Sequence, residues 1–329
     1  MPGVQRGTLL CLFLLSWLGA GGATIAGREV LSLREVAGSL GMEVRVVEKG
    51  ERWDLRSQWT QLRFAKDRRE LFLNGRLVFL GFPVAEDKGR LYLARADYRG
   101  LLQPILTPQI FPAPDRPRRI VLDPGHGGKD PGARRPQLGL VEKSLALDLA
   151  KRLARRLRAE GFEVTLTREN DRFLPLPQRP RFANQLRADL FLSLHMNASE
   201  KTEVEGVESY VLTPSGQPST GRLRMVAADR KTHRGNRQDA RNTLLGFYVQ
   251  RALAGELPTP DRGLKRARFA VLRDLAMPGV LLEAGFLSHA KEGRNLGSAG
   301  YRDRIADAIT EGVLAYVRTV DRLRERERR

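Results

Sequence analysis

From residue 118 to 316, short apolar runs alternate with longer helical patterns. No other feature of the chain constrains its fold as much. The strand-like runs are residues 120–123, 163–167, 190–194, 207–212, 269–272 and 280–282. The helical patterns cover about residues 142–160, 178–186, 240–253 and 301–317. Such alternation predicts an α/β fold, a three-layer αβα domain around a mostly parallel central sheet. In open α/β sheets ligands gather at the carboxyl ends of the strands.

Chemistry-bearing residues follow those ends. The run Ile120-Val-Leu-Asp123 gives way to Pro124-Gly125 and then His126, so a buried strand is read as presenting an imidazole on a glycine-flanked loop. Leu190-Phe-Leu-Ser-Leu194 ends in the same way in His195, and Glu142 opens a helix between them. Two imidazoles and one carboxylate make a three-ligand set with one position left open, the pattern of catalytic zinc sites. Glu283 closes a third apolar run and is the candidate general base, because a carboxylate inside a core is costly unless it is used. Read from the residues alone, Glu142 is equally a first-turn glutamate favoured by the helix dipole. Asp123 is a candidate acceptor orienting His126, with structural bracing as the alternative. Arg168 reads as one half of an ion pair. His233 and His289 have no such setting.

The N-terminus bears on location. Arg6 precedes an apolar run from Leu9 to Leu18, and small residues follow to Ala26. This predicts a secretory signal peptide over residues 1–26, cleaved after Ala23 or Ala26, with an uncleaved anchor as the alternative. The run is too short for a comfortable membrane span, so the mature chain is expected to have none. Cys11 is the only cysteine and lies inside the run, which excludes a disulfide framework or thiolate metal site in the mature chain. The net charge of +19 is carried mainly by arginine along the whole length. It is either a solvated surface or an attraction to a polyanion. An exported chain meets envelope polymers before nucleic acid, and no aromatic-rich basic motif argues for a nucleic-acid partner.

Residues 27–108 read as a small N-terminal α+β domain. A short amphipathic helix ending at Gly41 precedes strand-like runs at 42–47, 61–64, 70–73, 77–80 and 90–93, with Asn74-Gly75 as a hairpin turn. The helix "LSLREVAGSLGMEV", the hairpin "LFLNGRLV" and the piece "RLYLARADYRGLL" resemble the copper amine oxidase N-terminal-like domain. The segment has no His and no Cys, so no copper site is expected. Five prolines between Pro104 and Pro117 predict a stiff extended linker, assigned to residues 109–117. The main α/β domain is assigned to residues 118–319, and residues 320–329 to a frayed charged helix tail.

The blocks "IVLDPGHGGKDPGA", "GLVEKSLALDLAKRL", "GFEVTLTREND", "RPRFANQLRADLFLSLHMNAS", "GVESYVL", "RGLKRARFAVLRDLAMPGVLLEAGFLSH" and "IADAITEGVLAY" stand in order from residue 118 to 316. Together they resemble the zinc-dependent N-acetylmuramoyl-L-alanine amidase family of bacterial cell-wall enzymes. The resemblance implies that His126, Glu142 and His195 hold Zn2+ and that Glu283 is the catalytic glutamate. It implies hydrolysis of the amide joining N-acetylmuramic acid to L-alanine in peptidoglycan, in wall remodelling or daughter-cell separation. Asn197, Lys265 and Arg266 become candidate substrate contacts, with loop bracing or solvated charge as the alternatives. His289 stands where the family has asparagine.

Some relatives cover the zinc with a glutamate-bearing helix that an activator protein displaces. Residues 214–241 contain no glutamate, so no such plug is expected. Three other classes remain for comparison: a wall-binding protein with a degenerate site, a zinc hydrolase of another amide, and a nucleic-acid binder. The intact ligand set argues against the first, "HMNAS" and "LLEAGFLSH" against the second, and the leader against the third. The expected protein is a monomer in the periplasm or cell envelope.

Overall fold

The computed structural model describes residues 23–329. Its first part comprises β1 (Ala23–Ile25), β2 (Arg28–Ser32), α1 (Leu33–Leu40), β3 (Glu43–Glu48), β4 (Arg52–Arg56), β5 (Gln61–Ala65), β6 (Glu70–Leu73), β7 (Arg76–Phe79), β8 (Ala85–Asp87), β9 (Arg90–Ala94), α2 (Arg95–Asp97) and α3 (Gln103–Leu106). Then follow β10 (Arg119–Pro124), β11 (Arg134–Arg135), β12 (Leu140–Val141), α4 (Glu142–Ala159), β13 (Glu163–Leu166), α5 (Gln178–Gln185), β14 (Leu190–Asn197) and β15 (Val207–Leu212). The chain ends with α6 (Asp239–Glu256), β16 (Asp261–Ala267), α7 (Ala270–Arg273), β17 (Gly279–Phe286), α8 (Ala290–Gly297) and α9 (Ala299–Arg328).

Local chemistry accounts for several boundaries. Ser32 and Glu35 form a capping box at the start of α1, and Gly41 ends it in the left-handed region at φ 62°. Asn74 and Gly75, at φ 49° and 77°, make the two-residue turn between β6 and β7. The leader expected over residues 1–26 lies outside the described residues up to residue 22. Its last residues, Ala23–Ile25, form β1 and pair with β2.

One eleven-stranded sheet has the order β13-β10-β14-β17-β15-β16-β7-β6-β5-β4-β3. The first four strands are mutually parallel, β15 runs against β17, and β16 is parallel to β15. One sheet face packs Ile120, Leu122, Leu192, Val280 and Leu282 beneath α4, α6 and α9, in a core that runs unbroken into Leu55, Leu62 and Leu71 of the N-terminal strands. The opposite face packs Val121, Phe191 and Leu281 against α5 and α7. The three-layer α/β arrangement is therefore as expected.

The structure differs from the expectations in one strand and in how the flanking segments pack. Residues 269–272 are not a strand: Ala270–Arg273 form α7, and the strand is the charged stretch β16. A four-residue apolar run fits either element by pattern alone, and the charges of β16 hid its inward positions. The proline segment is extended only over its second half. Pro104 sits in the first turn of α3, where its missing N–H costs nothing, and residues 113–116 bond to the end of α9. The charged tail is helical, as expected, and continues α9 through Arg328. The N-terminal part joins the rest through the sheet, because β7 pairs with β16 at Val78 and Leu264.

The junction between the two parts is polar and buried. Asp97 accepts from the Gly81 and Phe82 amides at 2.6 and 3.0 Å, and Arg266 Nη1 lies 3.6 Å from it. Arg266 also donates to Gln217 and to the Gly100 carbonyl, both at 2.7 Å. Arg69 donates to the Thr220 and Arg222 carbonyls. Among the described residues, no helix is long and apolar enough to cross a membrane.

Candidate active site

The site is built on the sheet face that carries α5 and α7. After β10 the chain turns through His126 at φ 61°, an uncommon conformation for a residue with a side chain. Two buried arginines hold that turn. Arg168 donates to the carbonyls of Pro124, Gly125 and Lys143, and Arg179 to those of Pro124 and His126. The strained turn thus survives on donors fixed from the strand β13 and helix α5 sides.

His126 points Nε2 at Glu142 Oε1, 3.0 Å away, and Nδ1 at Asp130, 2.9 Å away. His195 Nδ1 lies 3.0 Å from the same Glu142 oxygen. The three side chains each present a ligand atom within 4.8 Å of the others. Glu142 is the first residue of α4, and its oxygens also accept from the amides of Ala133 and Met196. Burial alone raises its proton affinity, but the bonds to both imidazoles and their charge prevail and bring the carboxyl down to about 2. Burial lowers the His126 pKa, and Glu142 and Asp130 more than reverse that, leaving it raised.

Glycines make the convergence possible. A Cβ on Gly132 would lie 2.4 Å from Glu142 Oε2, and one on Gly125 would lie 2.3 Å from the His195 ring. No larger residue leaves room for these groups.

Glu283 stands beside His195, since the two pair in register between β14 and β17. It is inside its strand, as His195 is, rather than at a strand end. Its Oε2 is buried without a hydrogen-bond partner. Burial, then the nearby Glu142 and Glu208 carboxylates, push its pKa well up, and Lys265 only partly offsets this. A cavity of about 450 Å³ opens over these groups, with Leu176, Met196, Phe269 and Val271 as its apolar walls. No residue from 213 to 262 lines it.

The other candidates fall in different places. Asn197 lines the cavity and donates to Glu208. Lys265 pairs with Glu208. Arg266 is buried at the junction and does not line the cavity. Asp123 does not touch His126; it accepts from Thr167, Ser193 and Arg179. The acceptor on His126 is Asp130, four residues along the same glycine loop, a spacing that was legible in "HGGKD". Arg168 binds carbonyls rather than an acid, because it is buried where the loop exposes its oxygens. His289 caps α8 through Nδ1, away from the cluster. Sequence reasoning missed Glu208, a buried acid paired with Lys265 and Arg262 and accepting from Tyr210. Its only signal was an acid within the apolar run "GVESYVL".

A family model described as N-acetylmuramoyl-L-alanine amidase matches residues 120–315. The chain is 37% identical over 199 residues to the N-acetylmuramoyl-L-alanine amidase LytC of Bacillus subtilis, covering 60% of this chain and 35% of that one. It is 32% identical over 225 residues to the amidase AmiA of Escherichia coli, covering 62% of this chain and 78% of that one. Among solved structures it is similar to an N-acetylmuramoyl-L-alanine amidase from Clostridium difficile, with TM-score 0.51, 29% identity, and coverage of 61% and 97%. It is likewise similar to the amidase AmiC2 of Nostoc punctiforme, with TM-score 0.51, 30% identity, and coverage of 61% and 97%. The chain spans about a third of the length of the Bacillus relative.

Proposed function

Since the chain belongs to the N-acetylmuramoyl-L-alanine amidase family, we propose that it hydrolyses the amide between N-acetylmuramic acid and L-alanine of peptidoglycan. One observation carries this reading. Two imidazoles and a carboxylate converge beside Glu283, a half-buried glutamate whose Oε2 is buried without a partner, in the lining of an open cavity.

His126, Glu142 and His195 would hold zinc. The donor set is that of catalytic zinc sites, and Gly125 and Gly132 leave the space these groups need. Zinc bound there supplies a Lewis acid that polarises the scissile carbonyl and acidifies water. Asp130 accepts from His126 Nδ1, which fixes the tautomer that offers Nε2. Glu283 takes the proton of the attacking water and returns it to the departing alanine nitrogen. Its raised proton affinity suits a group that takes up a proton and returns it. Asn197 stands at the cavity edge as a substrate contact, while Lys265 acts through Glu208 rather than on the stem peptide.

Residues 1–26 act as the export signal, with the enzyme working in the periplasm or cell envelope. Cleavage after Ala23 retains most of the β1 strand, and cleavage after Ala26 removes it. The cavity lies free of the 213–262 segment, so activity without an activator is expected.

The test is digestion of isolated peptidoglycan followed by mass spectrometry. Free stem peptides beginning with L-alanine, lost with a chelator, are expected. Products cut at another bond would overturn the substrate, and activity indifferent to chelation would overturn the zinc.

A further inference from the structure

The sheet face that carries the site does not stop at the domain junction. By strand register, one row of side chains on that face runs His195, Glu283 and Glu208 on β14, β17 and β15. Glu208 is level with Gly263 on β16, and a Cβ on Gly263 would touch Leu77 of β7. The row then continues through Leu77, Phe72, Arg63, Asp54 and Arg45 on β7 to β3. From β17 to β6 is four strand spacings, roughly 19 Å at about 4.8 Å each.

A second line joins the same two regions. Phe269, on the cavity wall, packs edge-on against Tyr210 at 5.1 Å. Lys265 Nζ lies 5.7 Å from the Tyr210 ring and 5.7 Å from the Phe79 ring. Phe79 is on β7 and faces the same way as Leu77.

The two parts of this face differ in cover. Over the catalytic strands α5 and α7 pack upon it. Over β3 to β6 it is open: Phe72 is 39% exposed, and Arg52, Arg56 and Arg63 are exposed with it. Trp59, 79% exposed, sits in the β4–β5 turn. The strand directions put that turn and the Asn74-Gly75 turn at the edge of the sheet nearest the catalytic row. Exposed aromatics of this size beside a cleft mark a binding surface.

Charge selects the occupant. On the open face Arg45, Arg52, Arg56 and Arg63 are matched by Glu43, Glu48, Asp54 and Glu70. Despite the +19 of the whole chain, this face offers no excess charge to a polyanion. Aromatic rings among balanced polar groups suit a neutral, hydroxylated polymer with apolar ring faces. The glycan backbone of peptidoglycan is such a polymer, its muramic carboxyl being tied up in the amide.

We propose that the open face of the N-terminal sheet, through Trp59, Phe72 and the Leu77–Phe79 strand, is a second binding surface that seats the glycan strand on one side of the scissile amide. The inference rests on the amidase reading above. It makes the N-terminal part a determinant of polymer length preference: long strands reach Phe72, and a single disaccharide-peptide is too short to bridge from the cavity.

The experiment uses the full chain and the double variant Trp59→Ala/Phe72→Ser. Both side chains are exposed, and a melting curve checks that the fold is kept. Cosedimentation with bead-linked glycan strands, stripped of stem peptides and amidated at the freed muramic carboxyls so that they stay neutral, is expected to weaken about tenfold, the scale of one lost aromatic anchor. KM on long stem-bearing strands should rise by about the same factor at unchanged kcat. Kinetics on a single disaccharide-peptide should not change. Unaltered binding to the amidated strands, an equal loss on both substrates, or displacement by polyglutamate as effective as by amidated glycan would each overturn the proposal. Cosedimentation requires no turnover, so failure of the parent chain to cleave any substrate would refute the amidase reading and leave the surface to be judged by binding.

Discussion

The cavity and the domain junction both bury carboxylates, and they treat them in opposite ways. At the junction Asp97 takes two backbone amides and faces Arg266, and Arg266 in turn has Gln217 and the Gly100 carbonyl. In the cavity Glu283 keeps one oxygen with no partner and has two other carboxylates nearby. A satisfied buried charge holds two parts of a protein in place. Burial raises the proton affinity of both, but the amides and Arg266 work against that rise at Asp97, whereas the Glu142 and Glu208 carboxylates add to it at Glu283 and suit it to carry a proton. The same residue type thus serves as a fastener in one region and as a reactive group in the other.

The largest expected effect separates them most sharply. Glu283→Gln should cut kcat by about a thousandfold, within the usual range for a general base, without lowering Tm. A matching loss of stability would make Glu283 a structural residue and erase the contrast. Arg266→Met tests the opposite region. Removing one partner of a buried pair costs about 3–5 kcal/mol, so urea unfolding should move strongly while kcat of the folded protein holds. A fall in kcat with unchanged unfolding would place Arg266 in the site after all.

A smaller effect is expected at Asp130. Asp130→Asn should weaken zinc binding by about 10- to 100-fold in a competitive chelator titration, because the outer acceptor on His126 is lost. Equal affinity would mean that the His126–Asp130 bond plays no part in metal retention.

The smallest effect is a pH dependence of the metal-free protein. His126 has a raised pKa in the fold, so its contribution to stability is full below 6.5 and is lost as pH rises through the folded value. Glu283 is also raised, and its ionisation above 4.5 is resisted only in the folded state, which again costs stability as pH rises. Glu142 acts in another window, stabilising above 4.5 and losing that contribution as pH falls toward about 2. The metal-free Tm should therefore decline as pH rises above 4.5 and again above 6.5, with the first decline smaller in Glu283→Gln. A flat profile in both proteins would show that neither group is coupled to folding.

The site was largely legible because its residues follow strand-forming apolar runs. His126, His195 and Glu283 each come after such a run, and Glu142 opens a helix of regular apolar period. The catalytic fold was legible for the same reason, as β10, β13, β14, β15 and β17 are dominated by inward apolar positions. Where that signal failed, the reading failed. The strand β16 alternates Leu264 with Lys265 and Arg266, whose charges find buried partners only after folding. Asp123 was assigned to His126 by closeness in sequence, yet its strand turns it toward Thr167, Ser193 and Arg179.

The sequence by itself determined the order of elements, the three-layer catalytic fold and the donor set, because periodicity and turn chemistry are local. Tertiary structure alone decided that β7 joins β16, making one sheet of two expected domains. It alone put Glu208 beside Glu283, and Phe72 on the same face as His195. Those relations depend on register between strands far apart in the chain. A one-residue shift in pairing turns each side chain to the other face, and no local pattern records which pairing the packed core selects.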